Sequence, residues 1–162
     1  MAGSYEILQL GALDNKSVIF ASAATRGLAV AVSSIDDNEI ITGKLAEPTD
    51  HEVLGMLARD ITVAGGPTLE DQVYNKGLES PDKAGGYTTV EDVTLFAIEG
   101  AANIDATHPI TAAGDEVTFK AGKPAIAQTG EFVHFVVLSK IAVVVEGNTD
   151  RFILKRISSR KA

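Results

Sequence analysis

Short apolar runs broken by turn residues set the pattern along the chain. Residues 18–21, 28–32 and 40–42 each have strand length. In residues 28–32, Leu28, Val30 and Val32 share one face, and Ala29 and Ala31 fall on the other. Residues 116–120 alternate cleanly, which predicts a strand with Val117 and Phe119 turned inward. Ala121-Gly122 then turns the chain into residues 124–128. Residues 132–145 are rich in Val, Ile and Phe and read as core. They fit either two strands or one long strand bulged near Ser139-Lys140. The turn at Gly147-Asn148 leads into residues 151–157, so the pattern predicts a C-terminal hairpin. Further breaks of Gly, Asn or Asp type stand at residues 13–16, 25–27, 36–39 and 113–115, where such residues close turns.

Two segments read as short helices. The first lies near residues 50–58, where Thr49 or Asp50 could cap a helix carrying Val53, Leu54 and Leu57. Gly55 works against it, and residues 57–63 fit a strand equally well. The second lies near residues 68–76. Thr68 caps it, Glu70 and Asp71 occupy its first turn, and Gly77 stands where a C′ residue belongs. Residues 78–89 are polar and rich in Gly and Pro, which predicts an exposed loop. The whole, residues 1–162, reads as a single mainly β domain, a compact β-sandwich or small barrel with one or two short helices. Residues 1–10 read as a candidate N-terminal arm and residues 158–162 as a frayed basic tail.

Composition narrows the class. The 162 residues are 45% hydrophobic and 22% charged, a globular balance. The net charge of −8 makes non-specific duplex binding a poor expectation, because that needs clustered cations. With no Cys, thiol chemistry, disulfides and cysteine-held metals are out. The N-terminus has neither a basic n-region nor a long apolar core, and the 132–145 stretch is too short for a membrane helix. The expectation is a soluble chain synthesised in a cytoplasm. Charge is uneven: residues 151–162 hold Arg151, Lys155, Arg156, Arg160 and Lys161 and no acid. That end is either a solvated strand or an arm for an acidic partner surface.

The chain carries few chemistry-bearing motifs. No P-loop, nucleophile elbow or dinucleotide fingerprint occurs. His51, His108 and His134 have no metal-ligand spacing. His51 would sit in the first turn of its helix, His108 in a turn before Pro109, and His134 in the core or at an interface. Acid pairs occur at Asp36-Asp37, Glu70-Asp71, Glu91-Asp92 and Asp115-Glu116. They sit where turns or a helix start would place acids anyway. The expectation is no enzyme activity, no cofactor and no bound metal.

Gly55, Leu57, Asp60, Ile61 and Ala64, within residues 51–66, resemble a segment of the capsid decoration (cement) proteins of tailed phages. The similarity spans residues 5–75, including the apolar–small alternation of residues 27–32. It implies a β-tulip-like fold and a virion protein on the outer capsid surface. Such a protein clamps neighbouring major capsid subunits as a homotrimer, with no nucleic acid or membrane as partner. The residues expected to supply contact area to the capsid or to another subunit are Tyr5, Ile7, Leu8, Leu78, Tyr87, Arg151, Lys155 and Arg156. A phage tail-tube subunit is the alternative reading. A small trimeric β-rich enzyme or binding module is the second alternative.

Overall fold

Valine alternates with alanine in residues 28–32, and the computed structural model shows what that alternation serves. The structure describes residues 4–11, 15–20, 22–61 and 87–162. Five strands close into a barrel: β2 (Lys16–Phe20), β3 (Ala29–Ile35), β4 (Ile41–Leu45), β5 (Gly55–Leu57) and β6 (Tyr87–Glu91). Around the barrel the order is β2-β4-β3-β5-β6, and only the β2–β4 pair is parallel. Six more strands make an antiparallel sheet: β1 (Tyr5–Leu10), β7 (Val93–Ile98), β8 (Glu116–Lys120), β9 (Lys123–Ile126), β10 (Phe132–Ile141) and β11 (Arg151–Lys161). Its order is β1-β7-β11-β10-β8-β9. The fold is thus mainly β, as the pattern of short strands and turns predicts.

Two cores result. Val18, Phe20, Val30, Leu57 and Val90 fill the barrel. Five strands enclose little room, and Gly43 supplies some of it. A Cβ there would stand 3.0 to 3.2 Å from Val30, Phe20 and Val18. The other core joins Ala29, Ala31, Ala46 and Met56 of the barrel half to the inner face of the sheet. Phe96, Phe119, Phe135, Phe152 and Leu154 lie there, with Phe135 edge-on to both Phe96 and Phe119. On β3, then, Val30 points into the barrel while Ala29 and Ala31 meet the sheet. Small residues on that face let the large sheet side chains pack against the barrel wall.

The tight turn between β8 and β9 also ties the halves. Gly122 N–H donates to Ala46 O, and Ala29 N–H donates to Gly122 O, both at 2.9 Å. Residues 132–141 form one strand, with a register shift between Val137 and Ser139, and the C-terminal hairpin with β11 is present.

Several local expectations change. Residues 50–58 hold strand β5, not a helix. Asp50 closes a turn instead: its Oδ2 accepts the Glu47 amide at 2.8 Å. Gly55 has φ 155°, and a Cβ there would stand 2.0 Å from Glu91 O. Pairing with β3 and β6 decides the outcome, because it buries Met56 in one core and Leu57 in the other. The N-terminal residues 5–10 are an edge strand rather than an arm, because Tyr5 and Ile7 pack against the sheet core. Of the 78–89 loop, residues 87–89 belong to β6, with Tyr87 and Thr88 buried. Residues 158–161 extend β11 against β10 rather than fraying, and the Ala162 amide donates to Glu131 O at 2.9 Å. The 68–76 helix and residues 78–86 lie outside the described residues. The one helical piece among the described residues is a 3-10 turn at Ala101–Asn103.

Tyr5 rests on Gly27. Gly27 has φ 87°, and a Cβ there would lie 2.6 Å from the Tyr5 ring. Gly114 has a similar φ of 93° but open space around it. Gly114→Ala is expected to cost about 1 kcal/mol, the backbone contribution alone. Gly27→Ala is expected to cost about 3 kcal/mol, because the ring must also be displaced. Urea denaturation of the two variants against the parent checks the difference.

Candidate functional site: surfaces left after internal pairing

Several of the acids close turns. Asp36 Oδ1 accepts the amides of Asn38 and Ile40, both at 2.9 Å. Asp105 Oδ2 accepts those of Thr107 and His108, and Asp115 Oδ2 those of Thr111 and Ala112. Glu131 Oε2 accepts the Gln128 amide at 2.8 Å. These carboxylates serve their own turns, as short polar side chains do where backbone N–H groups lack a ladder partner.

The basic end is consumed in the same way. Arg151 meets Glu6 at 2.5 Å and Glu99 at 3.8 Å. Arg160 pairs with Glu116. Arg156 bonds Asp92 Oδ1 at 2.8 Å and also donates to Val53 O at 2.9 Å. Asp92 is buried, at 6% exposure, and sits between β6 and β7. The acidic surface awaiting these arginines is therefore largely on the same chain. Strand pairing brings together residues as far apart as Glu6 and Arg151, which spacing in the sequence does not reveal.

The expected contact residues divide accordingly. Tyr5 and Ile7 face the sheet core. The Tyr5 ring lies 5.5 Å from Phe96, with the Arg26 guanidinium 5.6 Å from its centre. Burial holds its phenol well above the ordinary pKa, Glu91 adds to this, and Arg26 opposes it. Tyr87 is buried in β6. Arg151 and Arg156 are held in the pairs above. Leu78 lies outside the described residues. Leu8 and Lys155 stay on the outside, and they mark the surface of interest.

That surface is the outer face of the six-stranded sheet. Lys155 stands opposite Leu95 on one side and Val136 on the other. Gln9, Thr94, Leu95, Leu138, Lys155 and Arg156 line a shallow depression of about 460 Å³. Leu8 is 42% exposed and Leu138 50%. Each is the extra residue at a register shift, between Ile7 and Gln9 and between Val137 and Ser139. Bulges break strict alternation and so re-aim a side chain. Leu138 escaped the sequence reading because an unbroken apolar run does not say which residue a bulge turns outward.

A second hollow, of about 260 Å³, is lined by Ala31, Val32 and residues 50–54. His51 is at its rim rather than in a helix, with its ring 4.3 Å from that of Phe132. Among the described residues, no group of three His, Asp or Glu could hold a metal ion. No helix among them is long and apolar enough to cross a membrane.

His134 is a core residue, 1% exposed, with Nδ1 2.8 Å from Ser159 Oγ. Burial lowers its pKa below the ordinary value; nearby Arg156 acts the same way, and Asp50 and Glu52 oppose it. The unfolded chain therefore binds this proton more readily than the folded one. Stability from this group is present above about pH 6.5 and is lost as pH falls from there through the folded value. His134→Phe should flatten the pH dependence of unfolding free energy between pH 7 and 5. Parallel urea titrations at each pH check this.

The arginine pairs should differ in weight. Arg156→Ala strips a buried carboxylate of its guanidinium and should cost about 3 kcal/mol. Arg160→Ala breaks an exposed pair and should cost under about 1 kcal/mol. Thermal or chemical unfolding distinguishes them.

Compared with known proteins, the chain matches no family model, no curated protein and no solved structure.

Proposed function

We propose that this chain is a structural protein of a tailed-phage virion, which binds the outside of the expanded capsid and cements neighbouring major capsid subunits. The observation that carries the reading is the outer face of the six-stranded sheet. There two bulges leave Leu8 and Leu138 exposed, and Leu138 lines a depression with Leu95 and Lys155. Exposed leucines on a face that also presents Lys155 offer contact area, and cementing needs area repeated over many copies rather than a reaction. The likeness of residues 55–64 to decoration proteins supports the same reading. So does the net charge of −8, which suits the outside of a shell better than its DNA-lined interior. On this reading the copies sit on the shell as homotrimers, and the virion is where the protein resides.

The test is electron microscopy and co-sedimentation of the purified protein with expanded empty capsids of its source virus. Regular knobs on the shell, with a rise in shell melting temperature, are expected. Leu138→Asp should abolish co-sedimentation while leaving the circular dichroism spectrum unchanged. Bare shells beside tubes of the protein alone would overturn the reading in favour of a tail-tube subunit.

A further inference from the structure

Strand pairing sets Gln9, Leu95, Lys155, Val136 and Glu116 in one row across the six-stranded sheet. Opposite charges facing each other on neighbouring strands attract, yet Lys155 stands between Leu95 and Val136. The acid of that row, Glu116, is two strands away, roughly 10 Å at ordinary strand spacing, and Arg160 holds it. The other cations of β11 are engaged: Arg151, Arg156 and Arg160 by acids, and Lys161 over the Phe132 ring. Lys155 is exposed and has no hydrogen-bond or ion-pair partner among the described residues.

The depression beside it has a one-sided chemistry. Gln9, Thr94, Leu95, Leu138, Lys155 and Arg156 line it, and no acid does. The Thr94 hydroxyl is spent on β1, near the carbonyls of Gln9 at 3.3 Å and Leu10 at 3.4 Å. The Arg156 guanidinium is spent on Asp92 and on Val53 O. The Lys155 ammonium and the Gln9 side-chain amide stay uncommitted among the described residues. Leu95 and Leu138 supply the apolar wall. In a chain with 22 acids and a net charge of −8, this depression offers a positive charge.

Those groups select the occupant. A purely apolar segment seated here would strip water from the Lys155 ammonium and return nothing, which is costly. A basic segment would meet a like charge. A carboxylate accepts from the ammonium, which has three donors, and leaves the Gln9 amide free to add another. Apolar residues beside that carboxylate would cover Leu95 and Leu138. With water excluded there, the pair gains more than an exposed salt bridge does, and a wrong partner loses more.

We propose that this depression receives a Glu or Asp side chain of a partner protein, flanked by apolar residues, with the carboxylate paired to Lys155 and the apolar residues on Leu95 and Leu138. The inference rests on the capsid-binding reading of this face and gives the chemistry of the capsid segment that the face recognises. Lys155 then selects the partner, and the leucines supply the area.

Two measurements test this on the full chain. In the first, the peptide acetyl-Leu-Glu-Leu-amide is titrated against the protein and followed by NMR. Saturable shifts at Leu95, Leu138 and Lys155 are expected, with binding about tenfold weaker when Gln replaces the peptide's Glu. Lys155→Met keeps the apolar stem and removes the charge, so it should erase that preference with an unchanged circular dichroism spectrum. In the second, expanded empty capsids of the source virus are the probe. Lys155→Met should weaken co-sedimentation about tenfold, and Lys155→Arg should keep it near the parent level. No shift with the Glu peptide, or equal affinity for the two peptides, would overturn the proposal. So would shell binding by Lys155→Met as tight as the parent's, and in that case the capsid reading would stand. Glu-peptide binding at this face by a parent that leaves shells bare would sink the capsid reading and support the acid recognition.

Discussion

The two halves of the molecule meet at a buried ion pair. Asp92 is the single residue between β6, the last barrel strand, and β7 of the sheet, where the chain passes from one layer to the other. Arg156, from the far end of the sequence, holds its carboxylate and reaches on to the carbonyl of Val53, just ahead of β5. One side chain therefore ties β11, the β6–β7 passage and the approach to β5. The Gly11 amide donates to Asp92 O at 2.8 Å, which brings the end of β1 to the same point. Desolvating such a pair costs several kcal/mol, so its worth lies in fixing one arrangement of the two layers rather than in raising stability outright.

Around that joint the packing follows from size. Alanines on the barrel wall and phenylalanines on the sheet divide the volume between the layers. Val30, on the opposite face of the same strand, joins Val18 and Phe20 in a barrel that must give up a side chain at Gly43 to hold them. Both faces of β3 are thereby buried over residues 29–31, as are both faces of β5. Much of the polar chemistry that an acidic chain could offer is spent inside this frame, on turn amides and on arginines of the last strand. What the frame presents outward is apolar area: the bulged face near Leu138 and the hairpin connection beyond Ile141. A reading built on contact between proteins draws on those features directly.

A good part of this was legible in the residues. Alternation in 116–120 placed Val117 and Phe119 inward, and the small–large alternation of 28–32 separated the two faces of β3. The C-terminal hairpin followed from Gly147-Asn148 between two β-rich runs. The acid pairs in turns read as turn residues, and Asp36 and Asp115 prove to close their own turns. Local chemistry sufficed in each case, because the partner groups lie within a few residues. The segment at 50–58 was not legible, since a cap residue and helical spacing are local signals. The strands that claim Met56 and Leu57 come from distant parts of the chain.

The sequence by itself determined that this chain folds as short β-strands with polar turns, that it works without thiols, and that its last strand is basic. Period-two alternation, turn residues and composition act over a few residues and need no knowledge of the fold. Only the tertiary structure decided that the strands divide into a barrel and a sheet, and that Arg151, Arg156 and Arg160 find their acids on the same chain. It alone decided which residues of an unbroken apolar run point outward. Strand pairing couples positions more than a hundred residues apart, and a single bulge reverses the face of a side chain. Neither effect leaves a mark on the spacing of residues along the chain.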